Sequence, residues 1–386
     1  MIERIRRRFG DRVERQVVAR GAERVRYVRP VHPEEATGLV AAVYEQLARD
    51  FQLLAPITLS SPVPRLLAAT WIILRETLVA GAVPRMHKEL VAAAVSKANA
   101  CPYCVAAHVL MLRGGKEDRA ARALASGDVD AIEDPELRAL AMWGLKTRSA
   151  GDPALANPPF DPQAAPELVG TAVAFHAINR VVDVFLEDSP FSMPPGLQWT
   201  AHLLMKPVAS TFARRLVALT PPAGDSLPLL PDAALPQDLL WAEPNAVVAA
   251  AFARAASVID SLGASVLPEE VRALVIDRVG RWHGESMGLS RTWVEEAIKP
   301  LAEATRPAAR LALLTALASF QVDVDVVESF RERSPSDEAL LATVAWAAFT
   351  AARRVGAWLT VPRAAARREP DRGLVERAIS SGESPA

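Results

Sequence analysis

Thirty prolines set the strongest constraint on how this 386-residue chain folds. They cluster between apolar stretches of helical period. Proline lacks a backbone N–H and suits the first turn of a helix, so this distribution reads as punctuation between helices. Hydrophobic residues make up 51% of the chain and charged residues 23%, which excludes a disordered chain or a coiled-coil rod. Aromatics are only 6%, and Ala and Leu fill much of the apolar share. Helices packed closely through small side chains follow. The length suits two domains better than one. The net charge is −1, from 44 basic and 45 acidic residues, so no global field steers the protein onto nucleic acid or an anionic membrane. No run approaches the ~18 uninterrupted apolar residues of a membrane span. The first sixteen residues, MIERIRRRFGDRVERQ, carry charges where a signal peptide needs an apolar core. The expectation is a cytoplasmic protein with neither nucleic acid nor membrane as partner.

Residues 1–30 hold ten Arg against four acids, but Glu3, Asp11, Glu14 and Glu23 are interleaved. This reads as an exposed, mixed-charge helical segment, taken as 1–50, in preference to a nucleic-acid arm. Helical periodicity covers 35–55 and 62–80. Helices are predicted at 84–98 and at 102–113, the second stopped by Gly114-Gly115, then at 116–126 and 134–148. A Pro-rich loop spans 151–166. A helix over 166–186 carries His176 and Asn179 within its apolar run. Residues 220–240 read as a Pro-rich linker between a domain over 51–219 and another over 241–362, and residues from 363 as a mobile tail.

The only two cysteines, Cys101 and Cys104, form C-P-Y-C. Buried apolar thiols, a short structural disulfide, a zinc site completed by His108 with His87 or His176, and a redox dithiol all use this spacing. The local physics favours the dithiol. With Pro102 as first helical residue, Cys101 is the N-cap and Cys104 the third position. Both sulfurs then lie near unpaired N–H groups and the positive end of the helix dipole, which lowers a thiol pKa. His108 stands one turn beyond Cys104 on the same face, placed to relay a proton. Upstream, Glu89 and Ser96 share a helix face. If that helix turns back at Asn99-Ala100 and packs on the C-P-Y-C helix, Glu89 reaches His108. His176 is either core-facing or packed over the dithiol.

Glu89, Cys101, Cys104 and His108 at these spacings, with the text from Leu74 to Val79 and from Val95 through Asn99, resemble the alkylhydroperoxidase D motif of the carboxymuconolactone decarboxylase superfamily. The resemblance implies an all-α fold, a homo-oligomer, and peroxide reduction without metal or organic cofactor. By position, Cys104 attacks the peroxide, Cys101 resolves the sulfenic acid as a disulfide, and His108 with Glu89 forms the proton relay. An external dithiol, lipoyl or thioredoxin-like, re-reduces the pair. Tyr103 stands where the best-known members carry a second His. A phenol of pKa ~10 is a poor base at neutral pH, though it still donates a hydrogen bond. Ser96, Asn99 and His176 are the supporting positions. A disulfide oxidoreductase or a non-enzymatic redox sensor would use the same residues.

The second half echoes the first. Leu267 to Val275 aligns without gaps on Val83 to Val91, and Val344-Ala345-Trp346 on Val173-Ala174-Phe175. Ala273 falls on Glu89, His283 on Asn99, Glu285 on Cys101, Gly288 on Cys104 and Thr292 on His108. The expectation is a tandem duplication whose second copy is degenerate. Trp282, His283 and Glu285 are read as structural rather than as a second site.

Overall fold

The computed structural model describes residues 25–189 and 213–359. Residues 1–24 of the basic segment and the whole charged tail lie outside the described residues, as does the stretch 190–212 of the first domain. Among the described residues the fold is all-α, with no β-strand. The first half contains α1 (Gly38–Asp50), α2 (Pro64–Leu74, continued by a wider π turn over Arg75–Val79), α3 (Arg85–Ala98), α4 (Pro102–Gly114), α5 (Asp118–Ser126), α6 (Pro135–Lys146) and α7 (Ala165–Phe185). The second half contains α8 (Ala246–Val266), α9 (Glu269–Arg281), α10 (Thr292–Ile298), α11 (Arg306–Ala318), α12 (Val324–Arg331) and α13 (Asp337–Trp358).

Proline does what its chemistry dictates. It occupies the first or second position of α2, α4, α6, α7 and α11, and Pro84 and Pro268 are the N-caps of α3 and α9. Small residues set the packing distances. A Cβ on Gly144 of α6 would come within 2.8 Å of the Ala94 Cβ on α3, so these two helices meet almost backbone to backbone.

The halves repeat a packing pattern. α3 packs on α6 and α7, and α9 packs on α11 and α13. The halves meet through counterparts, α2 against α8 and α7 against α13, and one continuous hydrophobic core runs through both. The repeat stops short of the dithiol helix. Where the alignment sets Gly288 on Cys104, the chain is irregular from Trp282 to Arg291 and only the short α10 follows. α9 is also buried along a single stripe, Val271, Val275 and Val279, whereas α3 is buried continuously from Lys88 to Ser96.

The stretch read as a linker is a fastened strap rather than a free tether. Arg75, fully buried, bonds Asp50 (2.8 Å), Glu76 (2.6 Å) and the Pro222 carbonyl (3.1 Å). Glu76 in turn accepts from the Gly224 N–H (2.7 Å) and the Ser226 hydroxyl (2.6 Å). Among the described residues two helices, Ala165–Phe185 and Ala246–Val266, are long and apolar enough to cross a membrane, although no uninterrupted apolar run announces them. Their apolar faces are used inside the bundle, α7 against α3 and α13, and α8 against α2 and α13.

Candidate active site

The junction between α3 and α4 builds the site. α3 ends in a Schellman turn: the Cys101 N–H bonds the Ser96 carbonyl (3.0 Å) and the Ala100 N–H bonds the Lys97 carbonyl (3.1 Å). Ala100 takes the left-handed position at φ 55°, where glycine is usual. Cys101 is therefore the closing residue of one helix and the N-cap of the next, and Pro102 starts α4 at once. This reversal lays α4 along α3.

The packing brings the four motif residues together. Cys101, Cys104, Glu89 and His108 are 0%, 3%, 0% and 7% exposed. The two sulfurs are unbridged, and the Cys101 thiol donates to Cys104 Sγ at 2.7 Å. His108 Nδ1 lies 2.6 Å from Glu89 Oε2, while Glu89 Oε1 accepts from Arg85 Nε at 2.7 Å. Burial pushes the Glu89 carboxyl up, but Arg85 and His108 outweigh it and hold the carboxyl below its ordinary value. Glu89 is thus an anion that fixes the imidazole through Nδ1 and leaves Nε2 for proton exchange. The edge of Phe175 packs on the same ring, 4.5 Å between centroids and 89° between planes.

The helix start predicts a lowered pKa for both thiols, and for Cys101 the structure corrects this. Its hydrogen bond to Cys104, its burial and the nearby Asp183 carboxylate all raise it. The helix end is real, but desolvation and neighbouring negative charge exceed it.

Ser96, Asn99 and His176 form a buried chain behind the dithiol. The Thr147 hydroxyl donates to the Gly144 carbonyl (2.7 Å), so at His176 Nε2 (2.9 Å) it can only accept. His176 Nδ1 then accepts from Asn99 Nδ2 (3.1 Å), which also donates to Asn179 Oδ1 (2.9 Å). Asn179 donates to Ser96 Oγ (3.1 Å), and Ser96 to the Ala92 carbonyl (2.7 Å). Every link has a partner. Burial, with Arg180 and Arg148 nearby, holds His176 neutral, its pKa well below the ordinary value. Through Asn99 it is tied to the end of α3, and both its ring nitrogens are engaged. Tyr103 is half-buried against the core. His108 is committed to Glu89 and His176 to Thr147 and Asn99, and no group of three His, Cys, Asp or Glu among the described residues is arranged to hold a metal ion.

Sequence reasoning missed Asp183. On α7 it lies seven residues after His176 and four after Asn179, on the polar stripe of an otherwise apolar helix, and that period was the available signal. Its carboxylate neighbours the Cys101 thiol and accepts from the Ser319 hydroxyl at 2.6 Å. The second half supplies more of this surround. Arg180 donates to the Ala316 carbonyl (2.8 Å) and stacks over Trp282, and Trp358 donates to the Thr147 carbonyl (2.9 Å). Trp282 is buried and the His283 carbonyl accepts from the Ala150 N–H (2.9 Å), which ties this part of the repeat to the first half. A cavity lined among others by Ala174, Ala177, Ile178 and Val181 lies on the opposite face of α7 from His176 and Asp183, and none of the four motif residues lines it.

An all-α bundle with a paired dithiol at a helix start and a carboxylate-anchored histidine one turn on defines a class. The carboxymuconolactone decarboxylase family profile matches residues 65–143, which span α2 to α6. The chain belongs to this family. It is 41% identical over 336 residues to the alkyl hydroperoxide reductase Rv2159c of Mycobacterium tuberculosis, covering 87% of this chain and 95% of that protein. No solved structure matches the chain.

Proposed function

We propose that this protein is a thiol-dependent peroxidase that reduces organic or hydrogen peroxide through Cys101 and Cys104. The observation that carries this reading is the buried sulfur pair, 2.7 Å apart at the start of α4, with the Glu89-anchored His108 one turn beyond Cys104. The likeness to a protein named alkyl hydroperoxide reductase supports it.

His108 takes the Cys104 proton, and the Glu89 carboxylate stabilises the imidazolium. The thiolate attacks the distal peroxide oxygen. An S–O bond forms, the O–O bond breaks, and the leaving alkoxide takes the proton back from His108 as alcohol. Cys101 then attacks the sulfenic sulfur, forms the disulfide and releases water. An external dithiol restores the thiols. The depth of the pair suits a small peroxide better than a protein disulfide, and a reductant presented on a narrow arm, such as a lipoyl group, better than a flat protein face. A reducing cytoplasm is the compartment such recycling calls for. The second half is proposed to cover the apolar face through which such helical domains pair, giving a pseudo-dimer within one chain.

Steady-state peroxide consumption with excess dithiol tests the reading. Cys104→Ser should abolish turnover. Cys101→Ser should still form one sulfenic acid per chain and then stop. If Cys101→Ser blocks that first oxidation, the two roles are exchanged; if neither variant alters turnover, the dithiol is not the site.

A further inference from the structure

We propose that Asp183 is the proton acceptor for the resolving thiol, and that the second half of the chain holds it in place through Ser319. This rests on the peroxidase reading above. The Cys101 thiol has one proton, directed at Cys104 Sγ 2.7 Å away, and the Asp183 carboxylate, held by Ser319, is its other negatively charged neighbour. While Cys104 is an anion it attracts that proton. Once it has become a sulfenic acid it carries no charge, and the carboxylate is the stronger acceptor left.

The step balances. The Cys101 S–H bond breaks and its proton passes to Asp183. The Cys101 thiolate attacks the Cys104 sulfur, the S–S bond forms and the S–O bond breaks. The departing hydroxide takes the proton from Asp183 and leaves as water. The peroxide already consumed is the only oxidant, and Asp183 ends as it began.

Asp183 is suited to both halves of that exchange. Burial raises its carboxyl to about 6, against the opposing pull of Ser319, Arg180 and Cys101. That lies far enough up to accept a proton and still ionised at neutral pH. The charged groups facing it are Arg180 on its own helix, Arg148 after α6 and Asp188 just past α7. Arg26 binds its backbone carbonyl at 2.6 Å. Ser319 follows directly on α11, so a residue of the half that lacks the dithiol motif enters the chemistry of the half that carries it.

The test separates the two chemical steps by stopped-flow, with a sulfenic-acid trap and thiol counting on the full chain. With Asp183→Asn, the first oxidation of Cys104 should stay within roughly twofold of wild type while disulfide closure slows by about 100-fold. Trappable sulfenic acid should accumulate. Ser319→Ala, a milder change, should slow closure by about threefold with the first step intact. In the wild type, closure should slow as pH falls through about 6, and this dependence should be absent in Asp183→Asn. Closure at the wild-type rate in both variants, or in Ser319→Ala alone if Asp183→Asn does not fold, would overturn the proposal. If the wild type itself loses no thiols to peroxide, the peroxidase reading fails instead, and that result is distinguishable from the first.

Discussion

Glu89 has no exposure, and it is the carboxylate on which both the Arg85 guanidinium and the His108 ring depend, so its removal leaves Arg85 uncompensated and His108 without its anchor. Glu89→Gln is predicted to cost roughly 3–5 kcal/mol in denaturant unfolding, because a buried charge pair broken on one side strands the other. Its native pKa is depressed, so its contribution is present above the ordinary carboxylate range and lost as pH falls below about 4. His176 gives a different window. Unfolded histidine takes a proton below about 6.5 and the buried one does not, so stability falls with pH from there at up to ~1.4 kcal/mol per unit. Asp183, raised to about 6, opposes this slope between about pH 4 and 6, where its protonation favours the native state. The His176 part is therefore the wild-type slope minus that of His176→Gln, and between about pH 6 and 5 the variant should gain stability relative to the wild type as pH falls. The Glu89–His108 pairing was legible because both residues belong to helices whose turn could be read. The raised Cys101 thiol was not, because burial and the Asp183 contact come from an element about 80 residues away in sequence.

At the scale of elements, the α3–α4 reversal fixes the site, and its weak point is Ala100 in left-handed backbone. Ala100→Gly is predicted to stabilise the fold by about 1 kcal/mol in thermal or denaturant unfolding, with the Schellman hydrogen bonds retained. Helix starts in the first half were visible, since Pro64, Pro102, Pro135 and Pro166 mark four of them to within a few residues. Three features of the elements were hidden. The π turn over Arg75–Val79 reads as plain helix, yet it carries the buried Arg75 and Glu76. The Pro-rich 220–240 stretch has a linker's composition, yet Glu76 ties it down through Gly224 and Ser226. Position 288 aligns with Cys104, yet the chain there is irregular, because after α9 nothing resembles the Pro102 start that begins α4.

Over the whole molecule, the second half acts as a wall behind the dithiol. It supplies Ser319 to Asp183, Ala316 and Trp282 to Arg180, and α13 to the apolar face of α7. A fragment ending at residue 220 loses all of these and the cover of α7 and α2. It is predicted to self-associate or aggregate in light scattering. A monomeric, stable and fully active fragment would contradict the pseudo-dimer reading. The repeat was legible as helix order because apolar period survives divergence. The contact between halves was not, because Ser319 and Asp183 are brought together only by the packing of α11 beside α7. The central claim, a peroxide-reactive dithiol, is met most directly by counting free thiols on the purified, metal-free chain before and after one equivalent of organic hydroperoxide. The account predicts loss of both thiols, recovery with dithiothreitol, and no disulfide in Cys104→Ser. Retention of both thiols by the wild type would contradict it.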